Sequence, residues 1–118
     1  MIKQDTPERQ VNLIYLGLGS NLGNRKNNIE KAKFSLIENN IKILQTSSYY
    51  ETLSWPNPNN PKFLNIVLKV VSNISPLNLI KLCKKIEKKL GRKKTLKNSP
   101  RECDIDIIDF SNSNMKSE

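Results

Sequence analysis

Two aspartates near the end of the chain have the residue type and the spacing of a metal site. Asp104 and Asp106 lie in the segment 99–110, SPRECDIDIIDF, whose isoleucines predict a β-strand. Because strand side chains alternate between two faces, both carboxylates should point the same way, about 7 Å apart at the backbone. Such a pair suits Mg²⁺, which proteins hold through one or two carboxylates while phosphates and water complete its coordination. The same pattern also fits an edge strand whose charges discourage pairing with another sheet.

Basic residues precede these aspartates along the chain. Arg92 and Lys94 are expected in the loop that leads to the aspartate strand, and Arg101 lies three residues before Asp104. Cations that converge on paired carboxylates are what phosphoryl transfer requires, because its transition state needs positioning and charge neutralisation. The lysines of residues 81–89 are not expected to contact the aspartates. They lie opposite the leucines of a predicted helix, and this position favours a helix face exposed to solvent.

Two further motifs could contact a ligand. The sequence GLGSNLG at 17–23 follows the first predicted strand, and its glycines either form a tight turn or leave backbone N–H groups facing a ligand. It does not match the dinucleotide fingerprint GxGxxG, and the chain lacks a P-loop. Asn65 lies in an apolar strand near Trp55 and Phe63. Its amide can donate and accept hydrogen bonds at the edge of a bound heterocycle, on which the aromatic rings stack. Alternatively, it only satisfies hydrogen-bond partners within the fold.

The composition restricts the class of protein. A chain of 118 residues fits one domain, and its net charge of +9 suits a polyanionic partner such as nucleic acid, nucleotide phosphates or an acidic membrane surface. Histidine is absent, which removes the commonest general base. The two cysteines form no CxxC motif and no apolar run approaches the ~20 residues of a membrane span, so we expect a cytoplasmic protein with reduced thiols.

The elements that must position these residues follow from periodicity and capping signals. Strands are predicted over 11–18, 41–52, 63–71 and 102–110. One helix is predicted from the Asn24 cap to about Glu38, with Ile29, Ala32, Leu36 and Ile37 on its core face. A second helix is predicted from Ser75 and Pro76 to a C-terminal Gly91.

The order β-α-β-β-α-β predicts an α+β, ferredoxin-like fold in which an antiparallel sheet carries both helices on one face. We expect a flexible leader at 1–10, the folded domain at 11–110 and a disordered tail at 111–118.

Five segments occur in order across residues 11–110: YLGLGSNLGN, TSSYYET, PKFLNIVLKV, IEKKLGR and SPRECDIDIIDF. Together they resemble the family of 6-hydroxymethyl-7,8-dihydropterin pyrophosphokinases (HPPK), for which GSNLGN and PRxxDIDI are specific in combination. The resemblance implies transfer of the β,γ-pyrophosphate of ATP to the hydroxymethyl group of the pterin, releasing AMP, in tetrahydrofolate biosynthesis.

The resemblance also implies roles for single residues. Asp104 and Asp106 match aspartates that bind two Mg²⁺ ions, and with Arg92 and Arg101 they form the expected catalytic set. The expected ATP-binding residues are Glu87, Arg92, Lys94 and Arg101, and the expected pterin-binding residues are Thr52, Leu53, Trp55, Phe63 and Asn65. The loops at 20–24, 53–62 and 92–99 match mobile loops that close the site.

The chain also departs from the family pattern. Phe63 stands where tyrosine is common, Lys94 replaces an arginine, and Asn98-Ser99 replaces a frequent Trp-Gly. The family continues beyond the DID strand, into a segment with a phenylalanine that stacks on the pterin.

We therefore expect a monomer that binds ATP and pterin without nucleic acid or membrane, or a site that another chain completes. The alternatives are a truncated, catalytically impaired homologue that still binds nucleotide or pterin and, more remotely, a basic RNA-binding module.

Overall fold

The computed structural model describes residues 11–91 and 99–112. Arg92 and Lys94, two of the expected ATP-binding residues, lie outside this part of the chain, as do the predicted leader and residues 113–118. The elements are β1 Asn12–Ser20, α1 Arg25–Glu38, β2 Lys42–Thr46, β3 Tyr50–Thr52, β4 Phe63–Ser72, α2 Pro76–Lys89 and β5 Asp104–Asn112.

The strands form one antiparallel sheet in the order β2-β4-β1-β5, and β3 also pairs with β4. One face of this sheet is covered, because Leu16 and Leu18 of β1 and Leu68 of β4 share a buried core with both helices. The α+β, ferredoxin-like fold predicted from the sequence is therefore confirmed. The opposite face of the sheet carries the candidate site.

The helices begin where their caps predict. Asn24 accepts a hydrogen bond from the backbone N–H of Asn27 at 3.1 Å, and Ser75 accepts one from Asn78 at 3.2 Å. In α2 the buried apolar residues repeat at helical spacing, and Glu87, which no apolar pattern indicates, is buried with them. These apolar residues are Leu79, Leu82, Cys83 and Ile86. Gly91 follows that helix with a φ of +115°, a left-handed conformation that favours glycine.

Three predicted details differ from the structure. The strand expected over 41–52 is divided into β2 and β3, and the chain between them directs Tyr49 towards α1. Ile37 is 52% exposed, because the helical repeat that buries Ala32 and Leu36 turns Ser35 inward instead. Strand β5 begins at Asp104 and continues to Asn112, two residues into the predicted tail.

Within residues 11–91 and 99–112, no helix is long and apolar enough to cross a membrane.

Candidate functional site

A cavity of about 240 Å³ lies on the sheet face opposite the helices. Strand register explains its composition, since Gly19 pairs with Asp104 on one side and with Asn65 on the other. Gly17 likewise pairs with Asp106. Directly opposed residues of an antiparallel pair share a face. The lining residues are Gly17, Leu18, Gly19, Tyr50, Thr52, Phe63, Asn65, Ile66, Asp104, Asp106 and Ile108.

The structure brings both predicted metal aspartates to this cavity. The carboxylate of Asp104 lies 3.5 Å from the guanidinium of Arg101, the arginine that precedes it by three residues. Among the described residues, no group of three or more His, Cys, Asp or Glu side chains could hold a metal ion. Two carboxylate ligands still fit Mg²⁺, because this ion takes much of its coordination from water and substrate phosphates.

Arg101 contacts two residues that line the cavity, Asp104 and Phe63. Its Nε donates to the carbonyl of Ser99 at 3.2 Å, and its guanidinium carbon lies 6.0 Å from the centre of the Phe63 ring. The side chain therefore extends between the aromatic ring and Asp104. A fixed positive charge at this position can contact an anionic group held beside the aspartates.

The Asn65 side chain is oriented by its neighbours. Its Nδ2 donates to the Thr52 hydroxyl at 3.0 Å and to the carbonyl of Tyr50 at 3.2 Å. The carbonyl oxygen Oδ1 lies over Gly19, 2.9 Å from the position that a Cβ atom there would take. Glycine at this position leaves room for the Asn65 amide and the Phe63 ring, both of which line the cavity.

Two predicted pterin residues stand apart from the cavity. Leu53 and Trp55 follow β3, and their side chains are 63% and 82% exposed. Thr52, Phe63 and Asn65, in contrast, all line it. The structure thus brings together three of the five residues assigned to the pterin.

A second cavity, of about 270 Å³, lies between α2 and the edge strand β5. Asp106 lines both cavities. Glu87, predicted to lie beside the nucleotide, lines this cavity and accepts a hydrogen bond from the backbone N–H of Ile105 at 2.8 Å. The other lining residues are Ile80, Cys83, Lys84, Ile105 and Ile107.

Cys83 is not a nucleophile in this cavity. Burial, together with the nearby carboxylates of Glu87 and Asp106, raises the pKa of its thiol to about 12. The thiol is therefore protonated at neutral pH, whereas the thiolate is the reactive form.

Asn21 organises the site, although the sequence indicated only a glycine-rich turn there. Its side chain is buried, and Oδ1 accepts from the backbone N–H of Arg101 at 2.8 Å. Its Nδ2 donates to the carbonyl of Pro61 at 3.0 Å. Its backbone N–H also donates to the carbonyl of Arg101 at 3.1 Å. No local pattern could reveal partners so distant in the sequence.

Comparison with known proteins gives consistent results. A family model described as 7,8-dihydro-6-hydroxymethylpterin-pyrophosphokinase (HPPK) matches residues 15–115. The chain is similar to the 2-amino-4-hydroxy-6-hydroxymethyldihydropteridine pyrophosphokinase of Aquifex aeolicus, with 44% identity over 95 residues, 80% of this chain and 59% of the relative. The Bacillus subtilis protein of the same name is 32% identical over 108 residues, 91% of this chain and 65% of the relative.

The chain thus spans less than two thirds of the length of either bacterial relative. The folic acid synthesis protein fol1 of Schizosaccharomyces pombe is 36% identical over 107 residues, which cover 90% of this chain and 15% of that protein. A crystal structure of an unknown protein from Galdieria sulphuraria matches 91% of this chain and 53% of its own, with a TM-score of 0.50 and 14% identity. This last likeness concerns the fold alone.

Proposed function

The chain belongs to the 7,8-dihydro-6-hydroxymethylpterin-pyrophosphokinase family, and we propose from this premise that it transfers pyrophosphate from ATP to 6-hydroxymethyl-7,8-dihydropterin. The products are AMP and the pterin diphosphate, in tetrahydrofolate biosynthesis. One observation carries the proposal. Asp104 and Asp106 share a cavity with Asn65 and Thr52, so that groups suited to a metal-bound phosphate face groups suited to a heterocycle.

The pterin occupies the end of the cavity formed by β1, β3 and β4. Gly19 supports this placement, because the absence of a side chain leaves room for the Asn65 amide and the Phe63 ring, the two groups proposed to contact the pterin. The oxygen of Asn65 accepts from the N–H groups of the ring edge, and the Phe63 ring stacks on it. Leu53 and Trp55 reach the ring when the loop of residues 53–62 closes.

The phosphates of ATP occupy the end of the cavity beside β5. Asp104 and Asp106 would hold two Mg²⁺ ions there. Bound Mg²⁺ supplies neutralisation of the phosphate charge and lowers the pKa of a bound hydroxyl. Arg101, between the aspartates and Phe63, binds the transferring group and holds it towards the pterin. Arg92 and Lys94, outside the described residues, keep their predicted roles on the phosphates.

The nucleoside occupies the second cavity, which shares Asp106 with the first. The Ile105 N–H points away from β1 towards Glu87, so strand alternation places the backbone of Ile107 on the same outer edge. Backbone groups on such an edge can hydrogen-bond the edge of a purine. Glu87 lies beside the nucleotide, and its bond to Ile105 also holds the strand that carries the aspartates.

An assay of AMP formation tests the proposed reaction. The wild-type chain should release AMP from ATP only when Mg²⁺ and the pterin are both present. Asp106→Ala should lower the rate more than about 100-fold, because a metal ligand is lost. Asp109→Ala is the matched control, since Asp109 is an exposed aspartate of the same strand and should leave the rate unchanged. An unaffected rate in Asp106→Ala would contradict the metal role.

The alternative of a chain that binds without transferring pyrophosphate gives a different result. Calorimetry with a non-hydrolysable ATP analogue and Mg²⁺, then with pterin, would show binding of either ligand while no AMP forms.

The RNA-binding alternative is less favoured. Two carboxylates line the open sheet face, where a phosphate backbone would need cations. A steeply salt-dependent shift with RNA, unchanged by ATP, would support it.

We also propose that the protein is located in the cytoplasm. It acts there as a monomer, or another chain completes its site. Two buried, unlinked cysteines, Cys83 and Cys103, support a reducing compartment. Light scattering with and without both substrates measures the oligomeric state.

A further inference from the structure

Arg25 binds both ends of the loop of residues 53–62. Its Nη2 lies 2.8 Å from Oε2 of Glu51, in the strand that enters the loop. Its Nη1 donates to the backbone carbonyl of Lys62 at 3.0 Å, where the chain leaves the loop. The pairing of β3 with β4, in which Thr52 opposes Phe63, already joins these stems. The guanidinium of Arg25 adds a side-chain link between them.

The position of Arg25 gives this contact a rigid base. Arg25 is the first residue of α1, directly after the Asn24 cap, and one turn later Ile29 is buried in the core. The Arg25 and Glu51 side chains are 31% and 47% exposed, so water screens their attraction in part. The geometry matters more than the charge, because a guanidinium has several donors in a planar fork and can bind two acceptors at once.

The loop beyond these stems is exposed and carries candidate substrate contacts. Leu53 and Trp55 project into solvent, outside the cavity. The exit stem has a second attachment, since Asn21 donates to the carbonyl of Pro61. Arg25 differs from Asn21 because it spans both stems. Loss of Arg25 should therefore increase the motion of the loop, while the pairing of β3 with β4 and the cavity floor remain intact.

We propose that Arg25 is a positioning residue that holds the loop of residues 53–62 ready to close Leu53 and Trp55 over the pterin. The identity of the ligand rests on the proposed function. The contact of Arg25 with Glu51 and Lys62, called the clamp below, can be tested without any ligand. The clamp lowers the cost of ordering the loop when substrate binds. Its loss should weaken pterin binding and leave nucleotide binding unchanged.

The fluorescence of Trp55 tests the clamp directly, because this is the single tryptophan of the chain. In Arg25→Ala, time-resolved anisotropy of the free protein should show larger local motion of Trp55 than in the wild type. Arg25→Lys keeps the charge but cannot bind both stems, so it should give intermediate motion. Glu51→Gln keeps the Lys62 contact and should also be intermediate.

Kinetics test the consequence for the substrate. Arg25→Ala should raise KM for the pterin about five- to tenfold, with kcat and the Kd of the ATP analogue within twofold of wild type. Lys33→Ala is the matched control, because it removes a cation that pairs with Glu30 at 3.5 Å on the same helix, away from the stems. The control should change neither the motion of Trp55 nor KM.

The outcomes separate the two proposals. Unchanged Trp55 motion in Arg25→Ala overturns the clamp, and increased motion with an unchanged pterin KM overturns its positioning role. If Arg25→Ala does not fold, Arg25→Lys and Glu51→Gln test the clamp through the anisotropy of Trp55 and the KM for the pterin. A wild-type chain that neither binds pterin nor forms AMP overturns the proposed function, and with it the link to pterin, while the anisotropy still decides whether the clamp exists.

Discussion

Glu87 of α2 accepts a hydrogen bond at 2.8 Å from the backbone N–H of Ile105, which lies between Asp104 and Asp106 on β5. The side chain of Glu87 is 8% exposed, so this bond is shielded from water. Strand β5 lies at one edge of the sheet. The contact with Glu87 attaches this edge strand, which carries both aspartates, to α2.

Replacement of Glu87 tests this attachment. Glu87→Ala leaves the Ile105 N–H without its acceptor and should lower the free energy of unfolding by about 1–3 kcal/mol. It should also weaken binding of the Mg²⁺-bound ATP analogue. Glu87→Gln retains an acceptor oxygen and should recover most of the stability in urea titrations. Equal losses in both variants would show that the charge, and not the hydrogen bond, is required.

Asn21 should be needed for both stability and activity. Asn21→Ala removes the acceptor for the Arg101 N–H and the donor to the Pro61 carbonyl, at a cost of about 1–3 kcal/mol of unfolding free energy. The rate of AMP formation should fall as well, because Arg101 loses its backbone support. Urea denaturation and the AMP assay measure the two effects. Asn27→Ala, at an exposed position of α1, should leave both unchanged. Normal activity in Asn21→Ala would contradict the organising role.

Gly19 should determine whether the pterin fits. A Cβ at this position would stand 2.9 Å from Oδ1 of Asn65 and 3.3 Å from a ring carbon of Phe63, so both side chains must move. Gly19→Ala should raise KM for the pterin at least about tenfold, roughly 1.4 kcal/mol of binding free energy, with nucleotide affinity retained. Gly17→Ala meets only the flexible end of Ile108 at 3.3 Å and should have a smaller effect. Equal effects of the two substitutions would count against this placement.

Tyr49 should make stability depend on pH at both extremes. Burial raises its pKa from 10.0 to about 12, and its hydroxyl donates to Glu30, which lowers the pKa of that carboxyl from 4.5. The raised pKa of Tyr49 contributes stability that is present below pH 10 and lost as the pH rises towards 12. The lowered pKa of Glu30 contributes stability that is present above pH 4.5 and lost in acid.

Tyr49→Phe removes the contribution of Tyr49 and the largest part of that of Glu30, whose pKa Lys33 and Lys26 also lower. The difference in unfolding free energy between wild type and variant should be constant between pH 4.5 and 10 and should shrink outside that range. Urea titrations at several pH values measure it. A difference that grows above pH 10 would refute the assignment.

Several features of the fold follow from neighbours in the sequence. The caps at Asn24 and Ser75 bond to groups three residues away, and the apolar positions of α2 repeat at helical spacing. The period of two in a strand likewise directs Asp104 and Asp106 to one face, where both line the same cavity. The order of these elements was sufficient for the α+β fold, which the structure confirms.

Other features depend on packing that no local pattern encodes. The strand propensity of residues 41–52 gave no sign that Tyr49 bonds to α1 and separates β2 from β3. Ile37 was assigned to the core because it is apolar, although the helix rotation set by Leu36 exposes it. The resemblance placed Glu87 beside the nucleotide, yet only the packing of α2 on β5 shows that it holds Ile105.

The sequence by itself determined the order of elements, the helix caps, the pairing of the two aspartates on one strand face and the family resemblance. All of these depend on residue types and on spacings of a few residues. Tertiary structure decided that Asn21 meets Arg101 and Pro61, 80 and 40 residues away, and that Arg25 spans the stems of a loop. The physical reason is that strand register and helix packing decide which distant polar groups become partners, and these depend on the whole core.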